Sequence, residues 1–309
     1  MQLDKRQILK TLGLLLGLTG CVSAPSNPAN SVEVQSVQIS PPVLTIQNWP
    51  SDEAAIARIH IVAIPAGYPV EVAVSDGLKT VDDFAAETNA LAVLNGGFFD
   101  PNNAQTTSFI TVNGSVVADP RDNQRLVDNP DLSVYMDQIL NRSEFRRYDC
   151  ADDVRYDIAF HREPVPDGCS LHSSLGAGPQ LLPDDTSQQE GFTGYADGVL
   201  VRDAIGSQRP NARSAIGIKH DGTLVWMMVA QTEPSGGLTL AELAEFMAGL
   251  GIQKALNLDG GSSSSLYTDL AGDAQSQVYY GRLDQAGQSV QRPVKSVLLL
   301  FPSPAGYRP

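Results

Sequence analysis

Short segments in which apolar and polar residues alternate recur along the chain and predict a domain built largely of β-strands. Residues 58–64 alternate in this way, and residues 70–74 repeat the pattern. His60 lies on the polar face of the first segment, so we expect a solvated histidine there. Two mostly apolar runs, 91–94 and 255–258, are typical of buried strands.

Two turn signals predict how the strands pair. Asn113-Gly114 separates residues 109–112 from 115–117 and is typical of a two-residue hairpin turn. Asp221-Gly222 joins residues 214–218 to 223–229 in the same way. Because hairpins join antiparallel strands, we expect an α+β fold with a mixed, largely antiparallel sheet core and a few packed helices.

The polar and apolar pattern also predicts helices and a loop-rich region. Thr239 and Glu242 form a capping box, and Gly251 supplies a stop. The apolar residues between them share one helical face: Leu240, Leu243, Phe246, Met247 and Leu250. A shorter helix should begin near Thr80. Residues 119–208 carry more charge and proline with weaker periodicity, which indicates loops and peripheral strands.

Two of the predicted buried strands end in the same way, in a polar residue followed by two glycines and a turn. Asp259 follows residues 255–258 and precedes Gly260-Gly261 and the serines 262–265. Glycine lets a ligand approach the backbone, serine adds hydrogen-bonding groups, and amides of such a loop can form an anion nest. We therefore interpret this stretch as a ligand site, with a plain Ser/Gly linker as the alternative.

The other strand, 91–94, leads into Asn95, Gly96-Gly97, two phenylalanines and Asp100. An aromatic ring beside a carboxylate suits a sugar, whose C–H face packs on the ring while its hydroxyls bind polar groups. A tight turn with phenylalanine in the core is the alternative. Residues 100–103 are oxygen-rich and offer ligands to a hard cation, although they lack the length and carboxylate count of a calcium-binding hand.

Net charge limits the partners of the protein. The 309-residue chain carries a formal charge of -14, which argues against nucleic acid. An acidic surface also repels anionic lipids, so membrane association would depend on an acyl anchor. An anionic substrate would require a local cationic pocket.

The first residues are typical of a lipoprotein leader. Three basic residues precede a short apolar run at 12–18, and residues 18–21 (Leu-Thr-Gly-Cys) resemble a bacterial lipobox. This interpretation predicts a signal peptide over 1–20, acylation of Cys21, a flexible tether over 21–36 and one domain over 37–309. Val22 favours the outer membrane, facing the periplasm of the bacterial cell envelope, in lipoproteins similar to this one. A plain signal peptide or an uncleaved anchor stays open.

The two cysteines that remain, Cys150 and Cys169, predict a disulfide in an exported chain. The alternative is a zinc site formed with His161 and His172. Their spacing matches no zinc-finger pattern, and an oxidising compartment favours the disulfide.

Four motifs, taken in order, resemble those of the phosphodiester glycosidase family. They are residues 95–99 (Asn-Gly-Gly-Phe-Phe), 176–182 (Gly-Ala-Gly-Pro-Gln-Leu-Leu), 213–217 (Arg-Ser-Ala-Ile-Gly) and 256–263 (Leu-Asn-Leu-Asp-Gly-Gly-Ser-Ser). The resemblance covers about residues 58–301. Ser214 stands where the family often has threonine and Ser262 where a third glycine is common, which bears on substrate preference.

The resemblance implies hydrolysis of a bond between the anomeric carbon of a sugar and a phosphodiester. A phosphodiester leaves as a stable anion, so it requires less general-acid help than an alkoxide does. We predict Asp259 as the main catalytic carboxylate, Asp100 as a second one, and Arg213 as a bidentate ligand of the phosphate, with Arg209 as the second choice for that role.

Smaller residues complete the predicted substrate site. Asn95 and Ser263 should orient the sugar or the phosphate by hydrogen bonds. Five glycines from the same motifs should line the site: Gly96, Gly97, Gly178, Gly260 and Gly261. No cofactor is implied with certainty, and a divalent cation stays possible.

Two other functions stay open. Residues 262–265 and four histidines would permit a Ser-His-Asp hydrolase, but residues 260–264 lack the second glycine of the nucleophile elbow. A glycan-binding outer-membrane lipoprotein without catalysis would use the same loops. Asp259→Asn distinguishes the phosphodiester glycosidase from the glycan-binding protein. The enzyme should lose turnover, whereas the binding protein should keep its affinity.

Overall fold

The computed structural model describes residues 40–51, 54–151, 153–270 and 275–303. The predicted signal peptide, Cys21 and the tether lie outside these residues. Within the described ranges, no helix has both the length and the apolar character needed to cross a membrane.

β-Strands are the predominant regular structure of the described residues, with a few short helices between them. The strands are β1 (Val43–Trp49), β2 (Ala57–Ile64), β3 (Val70–Lys79), β4 (Ala92–Asn95), β5 (Phe99–Asp100), β6 (Gln105–Thr106), β7 (Ile110–Val112), β8 (Ser115–Ala118), β9 (Ser143–Cys150), β10 (Asp153–Phe160), β11 (Cys169–Gly176), β12 (Gln180–Leu182), β13 (Thr193–Ala196), β14 (Val199–Asp203), β15 (Arg213–Lys219), β16 (Leu224–Gln231), β17 (Ile252–Asn257), β18 (Ser265–Thr268), β19 (Gln277–Tyr280) and β20 (Val294–Leu300). The α-helices are α1 (Val81–Thr88), α2 (Gln124–Val127), α3 (Met136–Ile139) and α4 (Leu240–Gly249). The 3-10 helices are Pro120–Asp122, Pro130–Tyr135 and Gly261–Ser263.

Three sheets form the core of the domain. Sheet I has the strand order β1-β2-β16-β15-β17-β12, sheet II has the order β10-β9-β11-β7-β8, and sheet III has the order β19-β18-β4-β20-β3. Strands β13 and β14, and strands β5 and β6, form separate two-stranded sheets. Every strand pair among the described residues is antiparallel, so the largely antiparallel α+β fold is confirmed and its sheets contain no parallel pair there.

The core is layered because the central strands bury side chains on both faces. On β16, Trp226 and Met228 enter a central core shared by the three sheets, whereas Met227 packs under α4. On β20, Leu298 enters the central core and Val297 packs under α1. The two-sided burial explains why these strands read as near-continuous apolar runs rather than as alternating segments.

Several local predictions are confirmed. In α4, the hydroxyl of Thr239 accepts from the backbone N–H of Glu242 at 3.2 Å, and the carboxylate of Glu242 accepts from the backbone N–H of Thr239 at 2.8 Å. Asn113 and Gly114 have φ angles of 50° and 73° and join β7 to β8, as a two-residue hairpin turn requires. Strands β15 and β16 pair as the Asp221-Gly222 turn predicts.

Two predictions are wrong. Residues 119–208 contain the central strands of sheet II, whose Phe145 and Leu175 lie in the central core. His60 is buried beside Tyr279, with 4.4 Å between ring centroids, and burial lowers its pKa to about 4. The face of β2 that the pattern marks as polar also carries Val62 and Ile64, which belong to the central core.

A disulfide joins Cys150 at the end of β9 to Cys169 at the start of β11. It closes a loop with a sequence separation of 19 residues, which corresponds to about 3 kcal/mol in the chain-entropy description. The zinc alternative lacks its thiolate ligands in this arrangement. Across the described parts of the chain, no group of three or more His, Cys, Asp and Glu side chains is placed to hold a metal ion.

Candidate active site

The ends of β4 and β17 meet, and their contact positions Asp259. The backbone N–H of Asp259 donates to the carbonyl of Gly96 at 3.0 Å, and the side-chain amide of Asn95 donates to the carbonyl of Asp259 at 2.7 Å. One residue earlier, the N–H of Leu258 donates to the carbonyl of Ser214 at 2.8 Å. The two turns that resemble each other in sequence are therefore neighbours in space, and sheets I and III together hold the carboxylate.

Asn95 has its hydrogen-bonding groups occupied by the protein. Its Oδ1 accepts from the hydroxyl of Ser214 at 2.6 Å and from the N–H of Ser265 at 3.1 Å, and the residue is fully buried. The structure thus corrects the predicted contact of Asn95 with the substrate. Asn95 positions Asp259 instead.

Gly96 and Gly97 are required by close packing rather than by a ligand. A Cβ atom on Gly96 would lie 2.5 Å from Oγ of Ser296, and one on Gly97 would lie 2.1 Å from the carbonyl oxygen of Gly176. Their amides donate to the carbonyl of Ser296 at 2.8 Å and to its Oγ at 3.2 Å. The prediction that these two glycines line the substrate site is corrected accordingly.

The loop after Asp259 is a tight turn whose amides are largely occupied. The N–H of Gly261 donates to the carbonyl of Ala212 at 2.8 Å, and the N–H of Ser263 donates to the carbonyl of Gly260 at 3.2 Å. Gly261 has a φ of 60°, which favours glycine. The N–H of Ser262 has no partner among the described residues. The loop therefore offers one free amide in place of the predicted nest.

The Asp259 carboxyl group has a raised pKa. Burial raises it to about 6, while the hydroxyl of Ser263, the charge of Arg292 and the N–H of Gly260 oppose the rise. Ser263 is fully buried. Arg292 is held nearby: its Nη1 donates to Oγ of Ser262 at 2.7 Å, and its guanidinium lies 5.2 Å from the centroid of Phe99. Asp259 is therefore a half-buried carboxyl group whose pKa lies above its ordinary value.

A cavity of about 520 Å³ opens in front of Asp259. Its charged lining consists of Asp259 and three arginines, Arg209, Arg213 and Arg282, and Phe98 and Asn257 also face it. Among the described residues that line it, Asp259 is the single carboxylate. The acidic chain thus builds a local cationic pocket, which favours an anionic ligand.

Arg213 is committed to the loop beside the cavity. Its guanidinium donates to the carbonyls of Leu238, Ile205, Gly206 and Arg209 at 3.1, 3.1, 2.6 and 2.9 Å. Burial lowers its pKa to about 10, with Asp203 opposing the change. The predicted bidentate grip of Arg213 on a phosphate is corrected, because four of its five N–H groups already have acceptors.

The other two arginines are available. Arg209 is exposed, and its guanidinium has no hydrogen bond or ion pair within the described part of the chain. Arg282 is half-buried and donates one hydrogen bond, from Nη1 to Oδ1 of Asn211 at 2.8 Å. Arg209, the second choice made from sequence for the phosphate ligand, is therefore better placed for that role than Arg213, the first choice. Arg282 was missed because it belongs to none of the four motifs.

Asp100 lies outside the lining of this cavity. Its Oδ2 accepts from Nε of Arg125 at 2.7 Å, and its Oδ1 accepts from the backbone N–H of Asn102 at 2.8 Å. Burial alone would raise the pKa of Asp100, but Asn102 and Arg125 outweigh it and hold the pKa below its ordinary value. The prediction of Asp100 as a second catalytic carboxylate is corrected to a paired residue of the β5–β6 hairpin.

Asn257 is a site residue that the sequence interpretation missed. Its Nδ2 donates to the carbonyl of Gly178 at 2.9 Å, which leaves its buried Oδ1 without a partner among the described residues and next to the cavity. Gly178 lies behind Asn257, where a Cβ atom would meet Oε2 of Glu190 at 2.2 Å, so it supports the site without facing the substrate. The signal was present, because residues two apart on a strand share a face and Asn257 precedes Asp259 by two.

Comparison with known proteins supports the resemblance carried by the four motifs, all of which lie within the matched residues. A family model described as phosphodiester glycosidase matches residues 88–301 of the chain. No protein of curated function matches the chain in sequence.

Three solved structures share the fold at low sequence identity. The zebrafish N-acetylglucosamine-1-phosphodiester alpha-N-acetylglucosaminidase catalytic domain, auto-inhibited by its pro-peptide, has a TM-score of 0.57 at 17% identity and covers 84% of this chain and 82% of its own. A putative exported protein from Burkholderia pseudomallei has a TM-score of 0.52 at 19% identity, covering 80% of this chain and 74% of its own. A hypothetical protein from Synechocystis has a TM-score of 0.51 at 14% identity, covering 83% of this chain and 61% of its own. At these identities the likeness shows the fold alone.

Proposed function

Since the chain belongs to the phosphodiester glycosidase family, we propose that it hydrolyses the bond between the anomeric carbon of a sugar and a phosphodiester, with Asp259 as the catalytic carboxylate. The observation that carries the proposal is the cavity in which Asp259, the single carboxylate among its described lining residues, faces three arginines. A raised pKa in a cleft is typical of a catalytic acid or base.

Arg209 and Arg282 would bind the phosphodiester. Both line the cavity and have free N–H groups, and a guanidinium matches the geometry of phosphate oxygens. Arg213 would support them indirectly, because its hydrogen bonds to Ile205, Gly206 and Arg209 hold the loop that carries Arg209.

The reaction would use Asp259 in its ionised form, either as the nucleophile at the anomeric carbon or as the base that takes a proton from water. The bond from the anomeric carbon to the phosphate oxygen breaks, and its electron pair leaves with the phosphate. Water supplies the hydroxyl group of the released sugar, and its other proton ends on the phosphomonoester or in solvent. The arginines stabilise the departing charge, so the leaving oxygen does not require a positioned general acid.

The sugar would bind on the Phe98 side of the cavity. The ring of Phe98 offers an apolar surface for the C–H face of a sugar. The free Oδ1 of Asn257 would accept a hydrogen bond from a sugar hydroxyl or from the attacking water. A buried acceptor left unpaired costs about 1–3 kcal/mol, so a ligand that pairs with it gains affinity.

We also propose that the protein acts at the bacterial cell envelope, with acylated Cys21 as its membrane anchor and the outer membrane as its location. The support is the lipobox-like sequence of residues 18–21 and the formal charge of -14, which disfavours electrostatic attachment to anionic lipids. Incorporation of labelled fatty acid by the unaltered chain, with no incorporation by Cys21→Ser, would support the anchor. Label retained by Cys21→Ser would contradict it.

Hydrolysis assays test the function directly. The purified protein, Asp259→Asn and the matched control Asp269→Asn, an exposed aspartate, would be incubated with a methyl sugar-1-phosphodiester and with UDP-N-acetylglucosamine, with and without chelator. We expect sugar release by the unaltered protein and the control, and a loss of about 10²–10⁴-fold in Asp259→Asn. Loss of sugar release in the presence of chelator would show that the hydrolysis also requires a metal ion. No release from either compound, with glycan binding retained by all three proteins, would favour the non-catalytic lipoprotein.

A further inference from the structure

Two arginines away from the candidate active site are attached to the same turn of the chain. Nε of Arg142 donates to the carbonyl of Glu190 at 3.2 Å, and Nε of Arg202 donates to the carbonyl of Gly191 at 2.9 Å. Arg142 directly precedes β9, and Arg202 belongs to β14. Because the two acceptors are consecutive residues, the fold brings these distant arginines to one place.

Each of these guanidinium groups also lies over an aromatic ring. Cζ of Arg142 is 3.8 Å from the ring centroid of Phe192, and Cζ of Arg202 is 4.3 Å from that of Tyr135. Phe192 is buried and Tyr135 is half-buried. A hydrogen bond from Nε and a ring contact together fix the position of each planar group, so a ligand that binds the pair would order little of the protein.

The Nη atoms of both arginines have free N–H groups. Apart from the bond from Nε, neither guanidinium makes a hydrogen bond or an ion pair within the described part of the chain. A guanidinium has five N–H groups, so each arginine keeps the four on its Nη atoms. Arg142 has only 8% of its surface accessible, yet its Nη atoms and those of Arg202 are not among the fully buried polar atoms, so a ligand can reach them.

The positive charges of the pair are only partly balanced by the protein. Burial lowers the pKa of Arg142 to about 10, the charge of Glu190 opposes this change, and the charge of Arg202 adds to it. The carboxylate of Glu190 is occupied elsewhere, because it accepts from the N–H of Ser143 at 2.9 Å and from the N–H of Gln180 at 3.1 Å. One carboxylate, without direct contact, thus faces two guanidinium groups, and a net positive charge remains.

Free N–H groups on two guanidinium groups suit a tetrahedral oxyanion. Arginine binds phosphate oxygens through two parallel hydrogen bonds, and a phosphate or sulfate group has enough oxygens to accept from both arginines. A carboxylate has two oxygens, which a single guanidinium already satisfies. An uncharged ligand would leave the positive charges unbalanced. The arrangement therefore favours phosphate or sulfate over a carboxylate or a hydroxyl group.

This pair of arginines is separate from the cavity in front of Asp259. Neither Arg142 nor Arg202 is among the described residues that line that cavity. The ring of Phe192 lies between, since Arg142 lies over it and its centroid is 5.5 Å from that of Phe98, which lines the cavity. An anion bound to the pair is thus held behind the wall of the candidate active site and does not meet the candidate catalytic carboxylate.

We propose that Arg142 and Arg202 form a second anion-binding site, and that its ligand is a phosphate or sulfate group. The proposal goes beyond the proposed hydrolysis and does not depend on it, because the pair lies outside the cavity of Asp259. A free ion and a group carried by a larger molecule share this chemistry, so the experiment includes both inorganic phosphate and methyl phosphate.

Nuclear magnetic resonance of the unaltered protein, labelled with ¹⁵N in arginine, tests the site directly. The Nε–H resonances of Arg142 and Arg202 should shift together during titration with inorganic phosphate and with sulfate. Acetate at matched ionic strength should bind about tenfold more weakly or worse. The absence of a shift at both arginines, or equal affinity for acetate and phosphate, would overturn the proposal.

Titration with methyl phosphate in the same experiment distinguishes the two sources of the ligand. Shifts of both resonances with methyl phosphate as well as with inorganic phosphate would support the site as one for a phosphate group on a larger molecule. Shifts with inorganic phosphate but not with methyl phosphate would support the site as one for the free ion.

Variants separate this site from the arginines of the cavity. In the double variant Arg209→Gln/Arg282→Gln, phosphate should still bind at the pair, whether or not the proposed hydrolysis is correct. Adding Arg202→Gln to that double variant should weaken the remaining binding by about tenfold or more in a calorimetric titration. Adding Arg58→Gln instead is the matched control, because it removes the same charge from an exposed position of β2 and should leave the binding unchanged.

Equal phosphate affinity of the two triple variants would contradict the assignment. If the variant with Arg202→Gln does not fold, the resonance titration of the unaltered protein decides, because it requires no substitution.

Discussion

The side-chain amide of Asn95 donates to the backbone carbonyl of Asp259 at 2.7 Å, across 164 positions of sequence. The same side chain accepts from the hydroxyl of Ser214 and from the N–H of Ser265. One buried amide therefore joins strands of sheets I and III at the point where the carboxylate enters the cavity, and this contact is the reason that the candidate active site depends on the fold of the whole domain.

Replacing Asn95 should destabilise the protein and displace Asp259. Asn95→Ala leaves three buried groups without their partners, so we expect the free energy of unfolding to fall by about 2–4 kcal/mol. Urea denaturation measures this change, and Asn48→Ala, at an exposed asparagine of β1, is the control. A change below about 0.5 kcal/mol, within the usual range for surface substitutions, would show that the contact does not hold the two sheets together.

Substitution of Arg282 should lower activity, whereas substitution of Arg213 should lower stability. Arg282→Met removes a guanidinium with free N–H groups, so kcat/KM should fall by about tenfold or more while the free energy of unfolding changes little. Arg213→Met leaves four carbonyls without a donor and should lower the free energy of unfolding by about 3 kcal/mol or more. Activity assays and urea denaturation of both variants check this. If Arg213→Met were fully stable but could not bind phosphate, the sequence-based assignment of Arg213 would be restored.

The pH dependence of activity should report Asp259. Because the proposed mechanism uses the ionised carboxylate and its pKa is about 6, kcat/KM should rise with pH through an apparent pKa near 6 and level off above it. Arg292 lowers this pKa, so Arg292→Met should move the rise to higher pH, whereas Arg125→Met, which removes the partner of Asp100, should leave it in place. An activity that falls as pH rises through 6 would instead make Asp259 the general acid.

Asp259 should also reduce stability at neutral pH. Its pKa is about 6 in the folded protein against 3.8 in the unfolded chain, so the folded state is stabilised below pH 4 and loses this stability as the pH rises towards 6. Asp259→Asn should therefore raise the free energy of unfolding at pH 7.5 by up to about 3 kcal/mol, and the gain should vanish below pH 4. Denaturation of Asp259→Asn beside Asp269→Asn at both pH values is the measurement. An equal effect of the two substitutions would refute the desolvation of Asp259.

His60 should make the protein sensitive to mild acid. Its pKa is about 4 when folded and 6.5 when unfolded, so stability is complete above pH 6.5 and falls by about 3 kcal/mol between pH 6.5 and pH 4. His60→Leu should remove most of this dependence, whereas His220→Leu, at an exposed histidine, should not. The measurement is the free energy of unfolding of both variants and the unaltered protein at pH 4.5 and pH 7. An unchanged slope in His60→Leu would place the acid sensitivity elsewhere.

Local signals in the sequence predicted local structure well. The capping box of Thr239 and Glu242 and the Asn113-Gly114 turn depend on residues within a few positions of one another, and the structure has both. Residues 119–208 were predicted to be loops and peripheral strands, but they contain central strands of sheet II. These strands are buried by contacts with strands distant in sequence, and no local pattern reports such contacts. The burial of His60 was missed for the same reason.

The sequence by itself determined the family, the antiparallel α+β fold and the strand end that carries Asp259, because motif order, hairpin turns and apolar runs are properties of the chain. Only the tertiary structure decided which charges face that carboxylate. Arg282 and Arg292 come from a late segment outside the motifs, Asp100 is paired with Arg125, and Arg213 is surrounded by carbonyls. Hydrogen-bond partners and desolvation depend on contacts between segments far apart in sequence, so the roles of these residues became visible only after the sheets had brought the segments together.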